Sequence, residues 1–579
     1  MSVNRSSVDE KKIETKKSDI FFRLLKYTAS YKKEVIAVIA MMMVASIILV
    51  ALPLLTENAV DVQIKNGNLK GLLVVTAIFI GLVFVWWLIY VIRVRIMARV
   101  ANNIVLTIRD EVFAHLLSLG LYYFDSRPTG KILSRLIGDI TSMKDMLKQV
   151  VTTIVPNIFF VICILIAMFA LNPILSCAVI LALPLLCVGS FLLMKKNYPI
   201  WYDYRQKQSN ITGFVHESFS GIKVIQSFLA EGEVNKEFER ENDDIRSHWT
   251  RAVAMGDTMG IIIDASQGIG YFFLFFFAIF VLKMDGSSVG QLIAFSTYIG
   301  LFWQPIRALA NMYNQLSNNL AGAGRVFEIL DEKSTLKEIE APLTLSSVKG
   351  NVRFENVSFA YPDEKDKLIL KDVSFTVKEG EKIALVGPTG AGKTTIVNLL
   401  CRFYDASSGK IFIDNNDICK LSLSSLKANV AVMTQECYLF SGSIYENVKY
   451  GNDGATNEDV ITSCRLVGAE EFIKSFKEGY DADVSQIGLS QGQKQLLALA
   501  RTLLTNPKIL ILDEATSNID THTELLVQKG IETLMKGRTC FVVAHRLSTI
   551  RNANRIFVVN NQGIIEDGTH EELMALNQA

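Results

Sequence analysis

The sequence predicts a membrane α-helical domain with six transmembrane helices, followed by an α/β P-loop domain, and three observations predict it. Six runs within the first 310 residues are long and apolar enough to cross a bilayer. Beyond about residue 350 the pattern changes to short β-type runs alternating with helices. Within that second part a β-run leads straight into GPTGAGKT and a helical pattern.

The membrane runs come first. About 20 apolar residues are needed, because a helix rises 1.5 Å per residue across a hydrocarbon layer of about 30 Å. Runs at 35–55, 71–92, 151–171, 174–194, 259–282 and 289–310 meet that length. Only Asn172 and Pro173 separate the third from the fourth, which makes them a tight helical hairpin. Lys26, Lys32 and Lys33 precede the first run, and Arg93, Arg95, Lys195 and Lys196 border the long connections, so both termini and both connections are expected on the cytosolic side. The connections read as helices continuing inward, broken near Pro128, Gly130 and Gly221, where short transverse segments fit. Asp264 is the one acidic residue inside these runs; an ionisable group there is a substrate-path candidate, with a wetted helix end as its plainer reading.

Composition agrees with this division. At 579 residues the chain exceeds a single hydrophobic core. Half its residues are hydrophobic and 20% are charged, more apolar than an average soluble chain. With 59 basic and 58 acidic side chains there is no field to attract a polyanion, so nucleic acid is not an expected partner. The 8 cysteines form no C-x-x-C pair and read as free thiols. The expected division is a cytosolic tail at 1–18, the membrane domain with its cytosolic connections at 19–325, a linker at 326–350 and the α/β domain at 351–579.

In the α/β part, KIALVGPTGAGKTTIVNLL supplies strand, loop and helix in the order a P-loop requires. Gly387, Gly390 and Gly392 let backbone N–H groups curl around phosphate oxygens, with Thr389 and Ala391 between them. Lys393 is placed for the β and γ phosphates, Thr394 for Mg²⁺, and Thr395 continues the helix start. A second apolar strand, KILILDEATS, ends in Asp513 and Glu514. Asp513 suits the metal shell, and Glu514 suits orienting or deprotonating the attacking water. A third strand, RTCFVVAHRLS, delivers His545 toward the same edge.

With these motifs in place, the chain resembles an ATP-binding cassette (ABC) exporter half-transporter over nearly its whole length. The resemblance implies ATP and Mg²⁺ as ligands, Tyr361 stacking on adenine, Gln435 touching Mg²⁺ and the membrane domain, and His545 facing the γ-phosphate. It implies a D-loop at 517–520 and coupling segments near 124–130 and 218–222. It further implies two cassettes closing head to tail, each ATP held between one P-loop and the other chain's signature sequence. That sequence is commonly LSGGQ; here Ser490, Gln491, Gly492 and Gln493 read SQGQ. Gln491 adds bulk where backbone meets phosphate, while Ser490 and Gln493 still fit a helix capping box. The expected partner is therefore a different half-transporter, with a homodimer that tolerates the change as the alternative. Expected function is ATP-driven export of a small-molecule, lipid or peptide substrate across a cell membrane, in the arrangement of a bacterial plasma membrane. An ATP-gated receptor or channel without net transport is the alternative.

Overall fold

The computed structural model describes residues 17–283, 289–334, 336, 341–345, 347–434, 437–513, 521–543 and 550–576. Contacts divide the described chain into two compact units. One contains residues up to Leu116 together with Gly130–Asp331, and the other contains Leu117–Thr129 together with Glu332 onward.

The first unit is helical. Among the described residues, four continuous helical stretches are long and apolar enough to cross a membrane: Ser18–Ile64, Leu69–Ser118, Thr129–Leu171 and Glu231–Val281. The run expected at 174–194 is divided instead, into the helix Pro173–Ile180 and the 38-residue helix Leu183–Ser220. The run expected at 289–310 opens the helix Val289–Asp331, whose later turns are more polar. At the hairpin, Asn172 takes extended backbone and its Oδ1 accepts from the N–H of Ile174 and Leu175 at 3.1 and 3.2 Å, with Pro173 at the first helical position. A core of Phe160, Leu175, Phe295, Tyr298 and Trp303 lies between these helices. The helix Leu69–Ser118, by contrast, exposes Leu73, Ile80, Phe84 and Trp87, an apolar face that suits lipid.

The second unit carries two sheets. β1 (Val352–Phe359), β2 (Leu370–Val377), β4 (Ser408–Ile413) and β5 (Asn416–Asp417) form an antiparallel sheet in the order β2-β1-β4-β5. The other sheet contains β3 (Lys382–Val386), β6 (Val430–Met433), β7 (Ile509–Asp513), β8 (Thr539–Val543), β9 (Arg555–Asn560) and β10 (Gly563–Gly568), in the order β10-β9-β3-β8-β7-β6. From β9 to β6 all neighbours are parallel, and their buried apolar runs are what a sheet covered on both faces requires.

Two of the three expected breaks in the long connections appear, at Pro128 and Gly221, whereas Gly130 lies inside the helix Thr129–Ser134, because Pro128 already ends the preceding turn and the next helix starts directly after it. Gly221 ends one helix and the short helix Ile222–Ser227 follows. In the first connection the short helix is Leu121–Asp125, just upstream of Pro128 and Gly130. Leu121 and Tyr122 pack against the apolar core beneath the antiparallel sheet, which is why this segment groups with the second unit.

Candidate nucleotide site

The parallel register assembles the site. Leu385 of β3 and Asp513 of β7 both stand opposite Val543 of β8, and Met433 of β6 stands opposite Leu512. The carboxyl ends of four strands, about 4.8 Å apart, therefore form one edge, where α/β sheets bind ligands. The P-loop leaves that edge from β3. The chain after β6, β7 and β8 leads into Gln435, Glu514 and His545, and these three lie outside the described residues, as does 517–520.

The loop's glycines are needed for backbone shape. Gly387, Gly390 and Gly392 have φ of +150°, +86° and +107°, which side-chain-bearing residues seldom adopt. Ligand approach is one reason for all three, and packing adds another for two of them. A Cβ on Gly387 would stand 2.1 Å from the Val559 carbonyl of β9, and one on Gly392 would stand 2.9 Å from Leu370. Only Gly390 has open space around its Cβ position.

Directly after Gly392 the helix Lys393–Leu400 begins. Lys393 is 7% exposed, and its Nζ donates to the carbonyls of Gly387 and Pro388 at 2.6 and 3.0 Å. The ammonium thus folds over its own loop. Burial holds its pKa below the usual lysine value, and the nearby Asp513 carboxylate offsets this only in part. Thr394 is exposed at the helix start, while Thr395 is buried with its Oγ1 3.3 Å from the Tyr361 hydroxyl. The half-buried Tyr361 ring meets Phe359 and Tyr404 edge-on, at 5.0 and 5.3 Å. Tyr361 therefore stands beside the P-loop helix.

Elsewhere in the unit, Ser490 caps the 15-residue helix Gln491–Thr505. Its Oγ accepts from the Gln493 N–H at 3.2 Å, and its own N–H donates to Gln493 Oε1 at 2.9 Å. Gly492 is buried under the first turn and Gln491 is exposed. The capping box is complete with glutamine at the middle position.

Asp264 pairs with Arg307 of the following membrane helix. Arg307 lines a cavity of about 460 Å³ together with Gln267, Tyr271, Ser296, Thr297 and Gln304. Arg307 lies inside the sixth apolar run, where a basic residue near the run's end carries no signal of its own in the sequence. Arg501 is not singled out by the motifs either. It donates to the Tyr438 carbonyl and to Asn447, clamping the segment that follows Gln435; an arginine within LLALAR was the available signal.

Together the fold and the site define a membrane transporter driven by a P-loop ATPase. The chain belongs to the ABC transporter family: residues 35–306 match the ABC transporter transmembrane region, and residues 370–517 match the ABC transporter family itself. It is 36% identical to the ABC transporter ATP-binding protein YknV of Bacillus subtilis, over 96% of this chain and 92% of that protein. It is 31% identical to an ATP-dependent lipid A-core flippase of Syntrophus aciditrophicus, over 99% and 96%. Among solved structures it is similar to a bacterial Atm1-family ABC exporter with ATP bound, with a TM-score of 0.78 and 26% identity over 95% and 97% of the two chains. It is a multi-pass membrane protein, an ATP hydrolase coupled to export.

Proposed function

We propose that the chain is one half of an exporter that works with a different half-transporter, contributing a complete catalytic P-loop side and a weakened signature side. The observation that carries this reading is the signature helix start, where an exposed Gln491 stands between the capping Ser490 and the buried Gly492. An amide cluster at a helix N-terminus favours an anion, and a long side chain there competes for the space phosphate would take.

In this reading, backbone amides of Gly387, Thr389, Gly390, Ala391, Gly392, Thr394 and Thr395 cradle phosphate. Lys393 turns from its own carbonyls to the β and γ oxygens, and Tyr361 offers a ring face to adenine. The exposed Thr394 hydroxyl and the Asp513 carboxylate suit Mg²⁺, which takes few protein ligands and keeps the rest for water and phosphate; Gln435 joins them. Bound there, Mg²⁺ neutralises phosphate charge. Glu514 orients and deprotonates the attacking water, and His545 hydrogen-bonds the γ-phosphate. The six apolar runs give six membrane passages, the flanking lysines and arginines put both termini in the cytosol, and the bacterial relatives support a bacterial plasma membrane. The lipid A-core flippase relationship supports an amphipathic substrate.

Co-expression with an ABC half-transporter encoded beside it tests the proposal. A one-to-one complex is expected, in which Glu514→Gln abolishes ATP turnover while Gln491→Gly changes it less than about threefold. A homodimer with full substrate-stimulated activity, unaltered by the partner, would show the reading to be wrong.

A further inference from the structure

The helix Val289–Asp331 has 43 residues and is therefore about 65 Å long, so its first turn lies at the end of the membrane unit farthest from the linker. That turn is held by a carboxylate from another membrane helix. Asp61 Oδ1 accepts from the Gly290 N–H at 2.6 Å, and Oδ2 accepts from the Gln291 N–H at 3.0 Å. The first N–H groups of a helix have no partner within it, and the helix dipole favours a negative charge there. Using both oxygens fixes position as well as charge.

Three further features show how specific the arrangement is. Asp61 lies in a wide-turned π-helical segment, Ala59–Ile64, that follows the helix Lys32–Asn58 and sets the direction of its side chain. Gly290 has no Cβ, and one placed there would stand 2.6 to 2.8 Å from the Asp61 carboxylate atoms. The Gln291 Nε2 donates to the Leu171 carbonyl at 3.3 Å, so the same turn also ties the end of the helix Val155–Leu171. Deeper in the unit, the buried Tyr298 hydroxyl donates to the Val50 carbonyl at 2.6 Å and joins the same two helices as Asp61 does. The first and last membrane helices are thus tied twice, and the outer tie is polar and half-buried, where water can replace it.

We infer that Asp61 is a positioning residue of the transport cycle: its carboxylate latches the start of the last membrane helix, and opening of the pathway at that end requires its release from Gly290 and Gln291. An exporter must open that end at one stage. A carboxylate on two amides has two discrete states, latched and hydrated.

Hydrogen exchange of the peptide bearing Gly290 and Gln291 tests this on the assembled transporter in lipid nanodiscs. Without nucleotide these amides should be protected by their bonds to Asp61. Trapping with ATP, Mg²⁺ and vanadate should speed their exchange at least about tenfold as the latch releases. Asp61→Ala should give the fast rate without nucleotide and remove its dependence on trapping, with Asp61→Asn intermediate. Should Asp61→Ala fail to assemble, Gly290→Ala carries the test, since its methyl group displaces the carboxylate and leaves Asp61 in place. Equal protection in nucleotide-free and vanadate-trapped wild type would make Asp61 a static cap and overturn the inference. So would slow, wild-type exchange in both variants. Because the wild-type comparison depends on nucleotide state alone, it holds for a homodimer or a heterodimer.

Discussion

The Tyr404 hydroxyl donates to Oδ2 of Asp125 at 2.6 Å, across 279 residues of sequence. Tyr404 is buried between Phe359 and Tyr361, and Asp125 ends the short helix Leu121–Asp125. Burial, and then the bond to Asp125, push the tyrosine pKa well above its usual value, so it stays a neutral donor throughout the physiological range. The ring packed against Tyr361 is therefore bonded directly to the short helix Leu121–Asp125.

Replacing Tyr404 with Phe removes that bond while keeping the ring. The exposed Asp125 can rehydrate, so the cost is about 1 kcal/mol. Basal ATP hydrolysis should persist within about threefold, and substrate stimulation should fall. ATPase assays with and without a transported compound would show it; loss of both activities together would assign the pair to folding instead.

Glu514→Gln keeps the size of the side chain and removes the carboxylate. ATP should still bind, and hydrolysis should drop at least about a hundredfold, equivalent to roughly 2.7 kcal/mol in the barrier. Filter binding and phosphate release on the same preparation separate the two. Near-normal turnover would take Glu514 out of the proposed role.

Asp264 pairs with Arg307, so the two side chains together carry no net charge. Asp264→Asn now leaves Arg307 uncompensated beside the cavity, which should favour anionic over cationic compounds. Vesicle uptake of matched anionic and cationic dyes measures the shift. Combining it with Arg307→Gln should restore the original ratio.

Asp414 accepts from the N–H groups of Lys349, Gly350 and Asn351 at 2.6, 3.2 and 2.9 Å, and from the Asn351 side chain at 2.9 Å. Burial raises its pKa, but these bonds outweigh it and hold the carboxyl below its ordinary value. A lowered carboxyl pKa contributes stability that is present above about pH 4 and lost as pH falls through the folded value. Asp414→Asn should therefore cost about 1–2 kcal/mol at pH 7, and that difference should shrink below about pH 4. Calorimetry of both forms at the two pH values would show whether the gap closes.

What the sequence determined by itself was local. A proline after asparagine placed the helical hairpin at 172–173, and glycines with a lysine after a β-run placed the loop 387–393. Ser490 with Gln493 placed a helix start, because each depends on backbone freedom or on hydrogen bonds within a few residues. The apolar runs were legible from length alone, yet Leu183 begins a new helix inside one of them. Tertiary structure alone decided which distant groups meet. It set β8 between β3 and β7, brought Val559 against Gly387, paired Asp264 with Arg307 across 43 residues, and set Asp61 on Gly290 across 229. Such pairs depend on the packing of whole helices and on sheet order, so no spacing along the chain records them.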